Sequence, residues 1–292
     1  METDFLAQQF EQNRGHLRGV AYRMLGSVSE ADDAIQEAWL RLNRSDTSQI
    51  ENLGGWLTTV VARVCLDMLR SRSSRKEEPF DVNVHEPVAK SSMGSDPEQE
   101  TLLADSVGLA VMVVLERLNP SERLAFVLHD MFGMSFEAIA SILGKSPAAV
   151  RQLASRARRR VQGGSVTSDT SVEQQRPIVE KFLAALRAGD FEGLIAVLDP
   201  EVVVHIDEAA RRPGAPREIH GAQAFARGAI TFAQLAQSVE PLLLDGSVGV
   251  VWAPEGHLQR ALRFTFKEDR IATVDIIADS PRLSELQLAV LK

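Results

Sequence analysis

One cysteine, Cys65, stands among 292 residues. It rules out an internal disulfide and suits a reducing compartment. Aromatic residues make up 5% of the chain, with a single tyrosine, which excludes broad base-stacking platforms. No apolar run approaches the ~20 residues that a membrane helix needs. The opening stretch METDFLAQQFEQNRG lacks the basic-then-apolar layout of a signal peptide. Both absences point to a cytoplasmic protein with no membrane partner. There are no internal repeats and no low-complexity tracts. Nothing has metal-ligand spacing, so neither a metal nor a cofactor is expected.

Positive charge is also in short supply. Lys and Arg number 32 against 40 Asp and Glu, and the net charge of −8 argues at first sight against nucleic acid. The distribution matters more than the sum. Residues 1–172 and 173–292 each carry −4, yet Lys145 to Arg160 contributes +6 and Ala62 to Lys76 contributes +4. Two basic patches therefore sit in an otherwise acidic molecule. Local positive potential can neutralise phosphates while the acidic remainder suppresses non-specific binding. An apolar content of 45% is ample for cores, and the length allows two or three domains.

The most informative stretch is Ser135 to Val161, SFEAIASILGKSPAAVRQLASRARRRV. Ser135 can cap a short helix whose apolar face is Phe136, Ile139, Ala140 and Leu143. Gly144 stops it, since only Gly enters the left-handed conformation cheaply. Ser146 and Pro147 start a second helix as N-cap and first-turn residue. There Val150, Leu153, Ala154, Ala157 and Val161 share one face, while Arg151, Gln152, Ser155, Arg156 and Arg159 lie away from it. Two short helices, a tight turn and a basic outer face read as a helix-turn-helix. The plainer alternative is a helical hairpin with a solvated charged face.

Upstream, residues 3–24 form an amphipathic pattern with Phe5, Leu6, Phe10, Leu17, Val20, Ala21 and Leu25 inward. Gly26 breaks it, and Ser29 is the expected N-cap of the next helix, with Asp32 as its capping-box partner. Ala31, Ala34, Ile35, Ala38 and Leu42 fall on one face of that helix. Asp32, Asp33, Gln36, Glu37 and Leu40 fall on the opposite one, which is either a solvated surface or a partner surface. After a polar loop, Trp56 to Ser71 is helical, with Leu57, Val60, Val61, Val64, Cys65, Met68 and Leu69 as core. Arg63, Asp67, Arg70, Arg72, Arg75 and Lys76 cluster toward its C-terminal end, more arginine than capping requires. Residues 73–98 lose periodicity and read as a linker. Gln99 to Leu118 is helical, and Asn119-Pro120-Ser121-Glu122 is a strong start signal for a helix running to Phe132.

A second linker, Gly163 to Ser171, precedes a change of texture. Helices at Arg176 to Ala188, Phe191 to Leu198 and Ile219 to Ala236 accompany strand-like runs. These are Val202 to Ile206, Glu240 to Leu244, Val248 to Trp252, Leu258 to Phe266 and Ile271 to Ile277. Asp245-Gly246 and Glu268-Asp269 look like hairpin turns. The expectation is an α+β domain with an antiparallel sheet.

Three blocks carry a family resemblance: AYRMLGSVSEADDAIQEAWLR (Ala21 to Arg41), GGWLTTVVARVCLDMLRSR (Gly54 to Arg72) and the stretch from Leu118 to Val161. In order and spacing they resemble the extracytoplasmic-function group of bacterial RNA polymerase sigma factors. The remainder resembles a SnoaL-like domain of the conical nuclear-transport-factor type. The fusion resembles the subgroup of these sigma factors with such an extension, whose short motifs match DGSVG (Asp245 to Gly249) and ADSPRL (Ala278 to Leu283). That subgroup often carries Trp-Leu-Pro-Glu-Pro between its sigma domains, where this chain reads FDVNVHEP (Phe80 to Pro87).

The resemblance implies a multidomain protein, with two all-α sigma domains and an α+β cone. The divisions expected are 1–75, a linker at 76–98, 99–162, a linker at 163–172, and 173–292. The first domain would bind bacterial RNA polymerase core through Asp32, Asp33, Gln36, Glu37 and Leu40. It would engage the opened −10 element of promoter DNA through Asn52, Trp56, Arg63, Asp67, Arg70 and Arg72. The second would read the −35 element with Arg151, Gln152, Ser155 and Arg156. Lys145, Ser146, Arg158, Arg159 and Arg160 would hold phosphate. No catalytic group is needed, because the polymerase does the chemistry.

In the extension, His205 and Asp207 alternate on a predicted strand and could form an acid–base pair in a pocket with Trp252. A strand end emerging into solvent is the preferred reading. Trp252, Phe264 and Phe266 read better as core than as a ligand box. The extension is expected to contact the sigma domains and regulate them in cis. Two rivals are an enzyme of SnoaL type tethered to a DNA-binding module, and a ligand-responsive repressor.

Overall fold

The computed structural model describes residues 2–45, 50, 52–76, 108–162, 172–211 and 213–291. Most of both expected linkers, FDVNVHEP and the first half of the Gln99 to Leu118 helix lie outside them. The chain divides into two compact units. One comprises Met1–Gly108 and Leu115–Arg158, the other Leu109–Val114 and Arg159–Lys292.

In the first unit, α1 (Glu2–Leu25), α2 (Val28–Arg44) and α3 (Leu53–Lys76) pack pairwise. Leu17, Met24, Leu42, Leu57 and Leu66 are fully buried among them. The expected inward face of α2 holds: Ala31, Ala34, Ile35, Ala38 and Leu42 are all buried. The cap of α2 is Ser27, not Ser29; its side chain accepts the Glu30 amide. Asp32 makes no capping box and pairs instead with Arg18 at 2.9 Å. Gly26, at φ 84°, supplies the left-handed break between α1 and α2.

α4 (Leu109–Glu116) is followed by α5 (Pro120–Phe126). The Asn119 side chain caps α5 by accepting the Glu122 amide at 2.9 Å. The helix continues as one wide π-type turn, Val127–Met131, which the sequence pattern does not reveal. α6 (Phe136–Leu143) and α7 (Pro147–Gln162) then form the expected hairpin. Ser135 and Ser146 accept the amides of Ala138 and Ala149, each at 3.2 Å. Gly144 closes α6 in the left-handed region at φ 62°.

The second unit holds α8 (Val172–Ala188), α9 (Phe191–Val197), β1 (Leu198–Ile206), β2 (Glu218–His220), α10 (Ala222–Ile230), β3 (Val239–Leu244), β4 (Ser247–Trp252), β5 (Arg260–Lys267), β6 (Arg270–Ile277), α11 (Ser280–Glu285) and β7 (Leu288–Ala289). Among the described residues one sheet runs in the order β2-β1-β6-β5-β4-β3-β7. It is mixed rather than antiparallel, because β1 pairs with β6 in parallel, Val203 opposite Thr273. The expected helix from Ile219 to Ala236 is shorter. Ile219 belongs to β2, and Gly221 at φ 88° turns the chain into α10. Asp245 and Gly246 both have positive φ, as a tight hairpin turn requires. α8 and α10 pack on the sheet through Phe182, Phe225, Val250 and Phe264.

Candidate nucleic-acid interface

The second helix of the hairpin sorts its side chains by sign and polarity. Val150, Leu153, Ala154, Ala157 and Val161 are buried. Lys145, Ser146, Arg151, Gln152, Ser155, Arg156, Arg159 and Arg160 are exposed. Arg151 and Arg156 each keep more than half of their side-chain surface. Their contacts are loose. Arg151 lies 3.3 Å from Glu137 and over the ring of Phe136, while Arg156 is 4.0 Å from Glu122. An anionic groove offers more charge than a single carboxylate held at 3.3 or 4.0 Å, so both can exchange partners. Arg158 is held more tightly, by Asp130 at 2.7 Å.

The α3 candidates divide. Asn52 caps its own helix, its side-chain oxygen accepting the Gly55 amide at 2.9 Å. Trp56 is half-buried one turn above it. Arg63, Asp67 and Arg70 are exposed, and Arg63 reaches the Ser141 carbonyl at 3.4 Å. Arg72 turns inward, to the Glu30 carboxylate and, at 3.4 Å, the Leu25 carbonyl. Its charge is used to tie α3 to α2, which departs from the expected DNA contact. The side chains of Arg75 and Lys76 lie outside the description.

On α2 the Asp33 and Gln36 side chains are exposed and Leu40 keeps 46% of its surface. Leu40 is one of two large apolar residues left open among the described residues. Asp32 and Glu37 border this patch and are half-buried in pairs with Arg18 and Arg41.

Arg123, next to Glu122 at the start of α5, is the functional-looking residue that the pattern missed. The sequence pattern of LNPSERLAF assigns it no role, yet Glu122 and Arg123 are both buried. Arg123 Nε–H donates to the Arg23 carbonyl at the end of α1, at 3.0 Å. Burial lowers its pKa to about 10. Burial likewise pushes the Cys65 thiol up to about 12. The burial of Cys65 follows from its place on the inward face of α3, whereas that of Arg123 depends on which helices meet.

In the extension, His205 and Asp207 do not form a pocket. His205 is exposed and lies 3.3 Å from Glu218 across the strand pair. Asp207 lies beyond β1 and accepts the amides of Ala278 and Asp279, at 3.1 and 3.2 Å, while pairing with Arg282. Of the three candidates only Trp252 lines the apolar cavity of this domain, and Phe264 is core. The motif residues have a shared task. Asp279 caps α11, and Asp245 accepts the Gln287 amide at 2.9 Å. Asp245 and Asp275 also flank Arg263, whose pKa is raised by the bond to Asp275. Together they fix the segment that ends in β7, where the Val290 amide donates to the Val161 carbonyl of α7 at 2.9 Å.

Comparison with known proteins agrees with the geometry. The family model described as Sigma-70 region 2 matches residues 9–75, and that described as Sigma-70, region 4 matches residues 108–161. The ECF RNA polymerase sigma factor SigJ of Mycobacterium tuberculosis is 42% identical over 221 residues, 75% of this chain and 70% of that one. The probable ECF RNA polymerase sigma factor SigI of the same organism is 37% identical over 206 residues, 70% of this chain and 71% of the other. A crystal structure of SigJ covers 95% of this chain and 98% of its own, at 34% identity and a TM-score of 0.46. The fold class is two helical sigma domains followed by a mixed-sheet α+β extension. With the capped hairpin, its outward arginines and the acidic helix accounted for, the chain belongs to the extracytoplasmic-function RNA polymerase sigma factors, initiation factors that bind core polymerase and promoter DNA and are not themselves enzymes.

Proposed function

We propose that α7 reads the −35 element through Arg151, Gln152, Ser155 and Arg156, with Lys145, Ser146 and Arg159 on the flanking phosphates. The observation that carries this reading is the exposed face of α7. Arginine can bind guanine bidentately, each good pair giving roughly 1–3 kcal/mol of discrimination. Asn52, Trp56, Arg63, Asp67 and Arg70 engage the opened −10 region. Asp33, Gln36 and Leu40, flanked by Asp32 and Glu37, dock on core polymerase. The working divisions are those of the sequence, 1–75, 99–162 and 173–292, and a polymerase partner implies the cytoplasm.

The extension modulates this activity in cis. Support comes from the path of the chain: the last turn of α7 belongs to the same compact unit as the extension, where the Val290 amide donates to the Val161 carbonyl. In-vitro transcription with core polymerase tests both halves. Arg151→Ala and Arg156→Ala lower transcription from a selected promoter and relax preference at individual −35 positions. Truncation after Gly164 and Val290→Pro, which removes the amide donor, change promoter activity in the same direction. Equal activity of all four proteins disposes of the reading.

A further inference from the structure

The cavity in the extension is shaped for a small molecule, and its lining has an uneven chemistry. It measures about 360 Å³, within the range of small-molecule sites. Phe182, Phe225, Val250 and Leu262 form an apolar floor, and the exposed Phe232 lies on the same lining. Water gains little in such a space, because it needs two or more polar partners. Two arginines interrupt the apolar wall, Arg211 and Arg260.

The two guanidiniums are incompletely partnered. Among the described residues, Arg260 has no carboxylate partner; its guanidinium lies 5.9 Å from the centroid of the Trp252 ring. Arg211 pairs with Glu208 and donates to the Ala215 carbonyl at 2.9 Å, but its Nε is buried with no acceptor. A buried donor without an acceptor is a persistent cost unless something supplies one. Positive charge on an apolar cavity favours an anion that brings its own apolar body, since the charge-assisted bond strengthens as water is displaced.

We infer that this cavity binds an amphipathic carboxylic acid, its hydrocarbon body against Phe182, Phe225 and Val250 and its carboxylate between Arg211 and Arg260. Binding rests on the extension alone and does not depend on the promoter reading. No bond is made or broken. His205 and Asp207 are not part of the cavity's lining.

The test uses the purified full-length chain and two probes of equal chain length, decanoate and decan-1-ol. Calorimetry gives the affinities, and a ligand-induced shift in tryptophan emission that is lost in Trp252→Phe places the ligand near Trp252. The wild type binds decanoate about tenfold or more tighter than the alcohol, the margin of one charge-assisted contact. Arg260→Gln brings the two affinities to within about twofold without changing that for the alcohol, and Arg211→Gln acts in the same direction. Ala229→Phe, which fills the cavity, removes both ligands while circular dichroism stays native. Equal binding of acid and alcohol by the wild type overturns the proposal. So does no binding of either, an acid preference that survives both arginine substitutions, or decanoate binding undiminished in Ala229→Phe.

Discussion

α3 and α7 are both rich in arginine, and both carry it on helices whose opposite face is core. They spend that charge differently. On α7 the guanidiniums of Arg151, Arg156 and Arg159 look outward, and the acids near the first two are exposed or distant. On α3, Arg63 and Arg70 look outward, but Arg72 is drawn to Glu30 and to the end of α1. Arg123 is the extreme case, buried against a carbonyl of α1. Arginine content alone therefore separates no DNA-binding surface from a fold-building one. The direction of the side chain does.

Substitutions can break that distinction or sharpen it. The largest effect belongs to Arg123→Ala, which leaves a void and an unanswered Arg23 carbonyl. Denaturant unfolding should show a loss of about 2–4 kcal/mol. If stability holds and only promoter binding falls, inward placement of Arg123 is not what matters. Arg151→Ala and Arg156→Ala come next, each costing about 1–3 kcal/mol in binding to a duplex carrying the −35 sequence. Their unfolding curves should overlay the wild type. Arg72→Ala should lower stability by at most about 1 kcal/mol, since the pair it breaks is partly exposed. Promoter opening should be unchanged for Arg72→Ala and impaired for Arg63→Ala; the reverse pattern would exchange their roles.

Cys65 gives the smallest and cheapest readout. Its thiol, raised to about 12 by burial, stays protonated through the neutral and mildly alkaline range. A thiol reagent should leave the folded protein unlabelled and modify it only on unfolding. Rapid labelling of the native chain would mean that α3 is not held in its bundle.

Much of this was written in the sequence. The hairpin was, because Ser135, Gly144, Ser146 and Pro147 each act on their immediate neighbours. The two-faced α2 was legible for the same reason, in the spacing of Ala31, Ala34, Ile35, Ala38 and Leu42. The misplaced cap shows the limit: Ser27 and Ser29 are equally good acceptors, and the path of the chain after Gly26 decides between them. The parallel pairing of β1 with β6 and the burial of Arg123 were hidden, since each depends on segments remote in sequence. His205 and Asp207 were paired by alternation, but β1 ends at Ile206 and the two side chains go to different partners, Glu218 and Arg282. Trp252, read as core, lines the cavity instead, with the Arg260 guanidinium 5.9 Å from its ring centroid.

The strand pairing of Val203 with Thr273 has a kinetic side. Some seventy residues must be gathered before that parallel ladder can close, whereas the hairpin of α6 and α7 is complete within its own short span, and near-neighbour contacts assemble far sooner than remote ones. During synthesis, then, the hairpin is complete in sequence while the sheet of the extension still lacks β6, and each new molecule passes through an interval in which its helical half precedes its sheet.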